Sequence, residues 1–416
     1  MITLNRNVSD KEKFAWNTIG GLANAISSVL LSVSVNRVLG TQEAGFFAFA
    51  YSNAQMMMTI GNFEMRPYQS TDVKEKYSFN TYFTFKLLSC ALMLVVSVLY
   101  IFWGEFSAEK AAILFLTVWF RLVETFTDVI AGRYQQLDRI DLAGKIFSIR
   151  VFWSTLAFIV TVYVTKDLVW GCIMLALTTT VLFPIYDRRY FIKNDVLSFR
   201  LEFRKIFSLA VEILPLFIGA FIMMYISNAP KYAMNSFAGD EVQNIYNIIF
   251  MPTFVINLFS IFVFRPMLVK MSMEWAEGDL KGLRKSIFVI SFIILVLSCI
   301  ALVGTFLLGV PILSLIYNID LNPYKWMLMF AMVSGGLCAF VVFMQNLMTV
   351  IRAQRYVLLG YGLAGMFAFI VSKPLVKGFG IWGALLEYNI SLVIISSIFM
   401  IVVIWRMRKR IREENE

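Results

Sequence analysis

From Phe14 to Trp405 one pattern recurs: an apolar run of about 20 residues, enough to cross a bilayer as a helix, followed by a short polar break. Read by hydropathy, the runs fall at 14–38, 45–63, 79–103, 111–131, 144–164, 168–186, 206–229, 243–264, 286–309, 326–350, 357–372 and 379–405. The pattern predicts an all-α polytopic membrane protein of about twelve transmembrane helices. The breaks on the outward side are short, the longest near 309–325, and leave no room for a folded external domain. The leading MITLNRNVSDKEK is polar and no small-residue cleavage site follows the first run, so that run is read as a retained span.

The breaks repeat as well as the runs. Laying LGTQEAGFFAFA (39–50) over AGDEVQNIYNII (238–249) pairs Gly40 with Gly239 and Phe47 with Tyr246. The same register pairs Gly20 with Gly219 and Ser28 with Ser227. Further on, VIAGRY (129–134) resembles VIRAQRY (350–356), LAG recurs at 142–144 and 363–365, and VWGC (169–172) faces IWGA (381–384). These anchors keep their order, which predicts two six-helix lobes, 1–190 and 207–416, joined by a cytoplasmic linker at 191–206. An even number of spans per repeat makes the lobes parallel, enclosing a central cavity. Gly20 and Gly21 in the first span, and Pro215 and Gly219 in the seventh, are the helix-weakening residues at corresponding positions and the predicted hinges.

Composition changes the picture only by exclusion. With 59% hydrophobic and 15% charged residues, the chain lies outside the range of soluble domains. The net charge of +10 comes from Lys and Arg gathered on one side of the spans, in DRRYFIKNDVLSFRLEFRK, in Arg265 to Lys285 and in the tail RMRKRIREENE. The positive-inside rule then puts both termini in the cytoplasm and removes nucleic acid as a partner. Cys90, Cys172, Cys299 and Cys338 lie in apolar runs at unrelated spacings and suggest neither disulfides nor a metal site. Histidine is absent, so any proton coupling must use carboxylates.

Ionisable groups at membrane depth are costly and default to functional hypotheses. In the fourth span Arg121, Glu124 and Asp128 are spaced three and four apart and share one helix face. Lys86, Arg150 and Glu212 sit about 10 Å inside their spans at 1.5 Å per residue. Glu387 lies deeper, in the last span, and Arg37 stands at the outward lip of the first. Two arrangements fit: cation–carboxylate pairs that fasten a bundle, or cations that meet an anionic headgroup while a carboxylate takes up a proton or Na⁺.

NRVLGTQEAGFFAFAYS, RLVETFTDVIAGRYQQLDRIDLAGKIFSIR and GFGIWGALLEYNIS together resemble the polysaccharide repeat-unit flippases. These are the Wzx-type branch of the multidrug/oligosaccharidyl-lipid/polysaccharide exporter superfamily, and the similarity covers essentially the whole chain. The resemblance implies a non-enzymatic transporter that moves an undecaprenyl-diphosphate-linked oligosaccharide from the inner to the outer leaflet by alternating access, for O-antigen or capsule synthesis. By the same resemblance Arg37, Lys86, Arg121 and Arg150 are the headgroup-binding cations. Glu124, Asp128, Glu212 and Glu387 serve ion coupling or internal pairing. No cofactor beyond H⁺ or Na⁺ is implied; the partners are the lipid-linked substrate, membrane lipids and other polysaccharide-assembly membrane proteins. The alternatives are a drug/cation antiporter of the same superfamily and a teichoic-acid or peptidoglycan precursor flippase. Further off stands a membrane polymerase or ligase of lipid-linked glycans, against which the short outward loops count.

Overall fold

The computed structural model describes residues 8–72, 75–137, 139–186, 202–254, 256, 267, 270–353 and 355–415. The protein is all-α: no strand occurs among the described residues, and eight of the helical runs are long and apolar enough to cross a membrane. The expected basic cluster and linker at 187–201, Arg265, and most of 255–264 lie outside the described residues. By contacts the chain divides into two compact units, residues 1–221 and 222–416.

The first unit contains α1 (Asp10–Leu39), α2 (Thr41–Asn62), α3 (Met65–Thr71), α4 (Phe79–Trp103), α5 (Ala108–Gln136), α6 (Ile140–Thr165), α7 (Leu168–Tyr186) and the first half of α8 (Phe203–Phe237). The helix starts are written into the breaks as capping residues. Ser9 accepts the Glu12 N–H at 3.3 Å, Ser78 that of Thr81, and Ser107 that of Lys110, while Asp167 takes the N–H groups of Val169 and Trp170. With no hydrophobic force between helices in lipid, close packing and interhelical hydrogen bonds hold such bundles. The α1–α6 seam shows both: a Cβ on Gly144 would lie 2.3 Å from the Trp16 carbonyl oxygen, and the buried Ser27 and Thr155 hydroxyls are 2.6 Å apart. The polar helix α5 is central, packed on α2, α3, α4, α6 and α7.

The second unit holds the rest of α8, then α9 (Gly239–Phe250), α10 (Leu280–Gly304), a π-helical turn at Thr305–Gly309, α11 (Val310–Tyr317), a 3₁₀ turn at Asn322–Tyr324, α12 (Lys325–Val350) and α13 (Arg355–Asn415). Here α12 takes the central place, packed on α9, α10 and α13. Beyond Lys325 at its start, α12 carries no charged residue.

The glycines and aromatics used as sequence anchors have the following places in each unit. Gly40 joins α1 to α2 at φ +95°, and Gly239 opens α9 after α8 at φ +81°, a region a side chain disfavours. The polar break after Gly40 is shorter than its sequence suggests, because Thr41 already begins α2. Phe47 and Tyr246 are both buried cores of the following helix. Gly144 lets α6 close on α1, and Gly365 lets α13 close on Ile222 of α8. Gly171 packs on Val162 and Phe158, and Gly383 lies against the Leu375 carbonyl.

Two expectations about breaks need correction. The outward loop placed at 309–325 is mostly helix: VPILSLIY is apolar, its Pro311 stands in a first turn where no N–H is needed, and the chain leaves the helix only at Asn318, φ +56°. The break placed between 372 and 379 is not a loop either. α13 stays helical past Pro374 and turns only at Gly380 (φ 55°, ψ −128°).

Candidate functional site

The buried charges of the first unit are stacked along α5. Nearest its start, the Arg121 guanidinium pairs with Glu124 one turn on, donates to the Tyr51 hydroxyl of α2, and lies 4.5 Å from the Tyr51 ring centroid. Both charged side chains are almost wholly buried. Burial makes such a pair expensive to form and more expensive to break, about 3–5 kcal/mol for loss of one partner.

One turn further, Arg150 of α6 donates to the Thr127 hydroxyl at 2.7 Å and stacks near Phe147. Next comes Asp128, which bonds Arg66 of α3 at 2.9 Å. Spacing on one helix face therefore does not put the three α5 charges on one partner. Arg121 and Glu124 pair with each other and reach Tyr51 of α2, whereas Asp128 is met by Arg66 of α3.

Lys86 of α4 is the exception in kind. It is fully buried, and its ammonium donates to the carbonyls of Gly61 and Asn62, at 3.2 and 3.3 Å. Those carbonyls are open because Phe63 and Glu64 both take left-handed backbone, φ 48° and 52°, which ends α2 abruptly. The negative end of a helix dipole is a favourable seat for a cation. Among the described residues Lys86 has no carboxylate within ion-pair distance, although Asp128 and Glu64 act on it through space.

Glu212 of α8 is internally paired. It binds Lys76 at 2.6 Å, accepts from the Tyr77 hydroxyl at 2.9 Å and from the Tyr68 hydroxyl. Residues 75–78, which supply two of these partners, are themselves tied to Asp72 and to Arg133. Asp72 accepts the N–H groups of Lys76 and Tyr77 and the Tyr82 hydroxyl, and Arg133 bonds Glu75 at 2.6 Å. Burial raises the Asp72 carboxyl, but these hydrogen bonds outweigh it and hold the group below its ordinary value.

The remaining candidates stand apart. Arg37 is exposed in the last turn of α1, about 30 Å along α2 from Lys86 at 1.5 Å per residue. Gly20, Gly21, Pro215 and Gly219 all lie within unbroken helices, Gly20 packed against Gly144 and Gly21 with open space beside it. In the second unit Glu387 is fully buried, with one oxygen accepting from Ser391 at 3.1 Å and the other without a partner among the described residues. The buried Asn389 bonds the Ser334 hydroxyl of α12 at 2.8 Å.

Sequence reading missed Tyr51, Arg66, Tyr68, Asp72, Lys76 and Thr127. Arg66 and Lys76 lie in a break where Lys and Arg serve topology, and a lone Tyr or Thr in a span carries no charge signal. The one available cue was FEMR, two charges directly after an apolar run.

The described residues form a helical protein of two compact units, eight of whose helical runs are long and apolar enough to cross a membrane, with ionisable groups buried in both units. No protein-family model matches the sequence, and no curated protein matches it. Solved structures do match over nearly the whole chain. The lipid II flippase MurJ in an inward closed conformation is 12% identical, with a TM-score of 0.69 covering 95% of this chain and 89% of that one. A multidrug resistance MATE family transporter of the MOP superfamily, in an inward-facing conformation, is 12% identical, with a TM-score of 0.61 and 96% of each chain covered. The Vibrio cholerae MATE transporter VcmN in its bent form is 12% identical, with a TM-score of 0.59 and 97% of each covered. The chain shares the overall helical fold of these solved structures.

Proposed function

We propose that the protein is a flippase that carries an undecaprenyl-diphosphate-linked oligosaccharide from the inner to the outer leaflet by alternating access, in the manner of the Wzx-type branch. It sits in the bacterial inner membrane with both termini cytoplasmic. The observation that carries this reading is Lys86, a fully buried ammonium held by two helix-end carbonyls rather than by a carboxylate. An amine seated on carbonyls, with Asp128 and Glu64 acting on it only through space, is suited to a transient anionic partner, and a diphosphate is such a partner. Arg121 and Arg150 lie on the same central helix stack. Likeness to a structure named as a lipid II flippase supports a lipid-linked substrate in kind.

In this mechanism the headgroup enters an inward-open state and displaces carbonyl contacts at Lys86. The lobes then rock while the polyprenyl tail stays in lipid, with Gly20, Gly21, Pro215 and Gly219 as hinges. No bond is made or broken. Glu387, buried with one oxygen unsatisfied, is suited to take up H⁺ or Na⁺ in the return step. A drug/cation antiporter is the second reading. It is favoured by the Arg121–Glu124 pair, which leaves that layer neutral, and by likeness to the MATE transporters.

The test is headgroup translocation of a labelled undecaprenyl-diphosphate oligosaccharide in proteoliposomes, comparing wild type with Lys86→Ala, Arg121→Ala and Glu124→Gln. Translocation by the wild type, lost in Lys86→Ala while the protein stays folded, supports the flippase. Proton-for-cation exchange with no lipid movement gives the antiporter reading instead.

A further inference from the structure

The helix α2 does not end on a glycine. Its last residue, Asn62, is followed by Phe63 at φ 48° and Glu64 at φ 52°, two successive side chains in the left-handed region. The Phe63 N–H closes the helix on the Thr59 carbonyl at 3.0 Å, a bond usually made by glycine in this position. A bulky residue in that conformation is unfavourable and persists only where its surroundings hold it.

Two rings do the holding. Phe85 of α4 meets Phe63 edge-on, at 5.2 Å between centroids and 80° between planes. Phe217 of α8 lies flat on it, at 4.2 Å and 5°. Phe85 directly precedes Lys86, so it belongs to the same helix as the ammonium. Phe217 is placed differently, between Pro215 and Gly219. Pro215 has no N–H to give the Val211 carbonyl, and a glycine weakens a helix interior, so α8 is least rigid on either side of the stacked ring. On the other side of the left-handed turn the carbonyls it opens are occupied. The Lys86 ammonium bonds those of Gly61 and Asn62 at 3.2 and 3.3 Å, and the Ser89 hydroxyl donates to that of Gly61 at 2.7 Å.

We infer that Phe217 is a positioning residue for Lys86: its stack on Phe63 holds the left-handed turn, and the turn presents the carbonyls on which the ammonium sits. Lys86 stays buried as long as α8 keeps the two rings together. A bend of α8 at Pro215 or Gly219 lifts the ring, the turn relaxes, and the ammonium exchanges its carbonyls for an anionic group. This coupling rests on the reading of Lys86 as the headgroup cation and supplies its trigger. Glu212 fits the same scheme. Clamped by Lys76, Tyr77 and Tyr68, it fixes α8 five residues before the ring, so that bending begins beyond it.

Position 63 lets the turn be separated from the ring. Phe63→Gly supplies a residue that takes left-handed backbone unaided, so the seat no longer needs Phe217. Full-length protein in detergent is treated with N-hydroxysuccinimidyl acetate, and acetylation of Lys86 is read by peptide mass spectrometry against the exposed Lys281. Phe217→Ala is expected to raise Lys86 acetylation about tenfold, the effect of losing one aromatic pair. Phe217→Tyr, which keeps the ring, and Leu216→Ala, at an exposed neighbour, should both stay at the wild-type level. Phe217→Leu keeps most of the apolar volume without the ring and should act in the same direction as alanine, which covers the case of a poorly folded alanine variant. In the Phe63→Gly background Phe217→Ala should change nothing. Unchanged acetylation in Phe217→Ala and Phe217→Leu would overturn the positioning role. An equal rise in the Phe63→Gly background would overturn it too, reducing Phe217 to a cover over the amine. No substrate is present in the assay. Release of Lys86 as expected, in a protein that translocates no lipid-linked oligosaccharide, would leave the positioning role standing and remove the transport reading alone.

Discussion

The Lys86 ammonium lies 3.2 Å from the Gly61 carbonyl oxygen, at the point where two left-handed residues end α2. A cation seated on a helix end is easily exchanged for an apolar side chain of similar length, because removing a buried charge also removes its desolvation cost. Lys86→Met is therefore expected to keep thermal stability in detergent within a few degrees of wild type while lowering lipid translocation at least about tenfold. A large drop in melting temperature with transport per folded molecule intact would make Lys86 a structural fastener.

Arg121 and Glu124 should behave in the opposite way. Their pair is buried on one helix, with the Tyr51 hydroxyl as a third member. Glu124→Gln leaves a buried guanidinium uncompensated and is expected to destabilise by about 3–5 kcal/mol. Arg121→Met with Glu124→Leu, which removes both charges, should recover most of that loss. Wild type, Arg121→Met, Glu124→Leu and their double variant close a double-mutant cycle under chemical or thermal denaturation, and additive single effects would refute the pairing as the source of the cost.

The fold was far more legible in the sequence than the site. Apolar runs locate helices because lipid forbids any unpaired backbone, so the chain has almost no alternative. Two of the glycines singled out in the sequence, Gly40 and Gly239, take left-handed or extended positive-φ backbone that few other residues adopt. Breaks were read less well. Residues 310–317 and 373–379 extend helices past polar or Pro-bearing positions that tertiary packing tolerates. At the site, the depth of each charge could be counted along its helix, but the partner could not. Arg121, Glu124 and Asp128 share a face, yet Tyr51 and Arg66 come from different helices, and which helix meets which turn depends on packing.

Packing also separates the hinge candidates. Gly21 has open space around its Cα, so Gly21→Ala should fit and, in a helix interior, stabilise by about 0.5–1 kcal/mol. Gly144→Ala would put a Cβ 2.3 Å from the Trp16 carbonyl and should cost about 1–3 kcal/mol by forcing α1 from α6. Melting temperatures of the two variants test the contrast. Transport adds a second readout: a Gly21→Ala protein that is more stable but slower would support a bend at this point during the cycle, and unchanged transport would remove Gly21 from the hinges.

Asp72 and residues 75–78 give a pH dependence with a definite sign. Asp72 lies outside the spans, and its carboxyl is held below the ordinary 3.8 by the N–H groups of Tyr77 and Lys76 and the Tyr82 hydroxyl, which outweigh the opposing effect of burial. A carboxyl with a lower value folded than unfolded stabilises the fold above the unfolded value and loses that contribution as pH falls through the folded one. Wild type should thus lose thermal stability more steeply than Asp72→Asn between about pH 5 and 3. Above that range Asp72→Asn should be the less stable protein, by about 1 kcal/mol or less for a half-buried, partly replaceable acceptor. Because Lys76 and Tyr77 also hold Glu212, the same substitution should loosen α8 against this segment. Proteolysis rates within 75–78 at neutral pH would report that loosening, and equal rates in both proteins would detach Asp72 from the Glu212 latch.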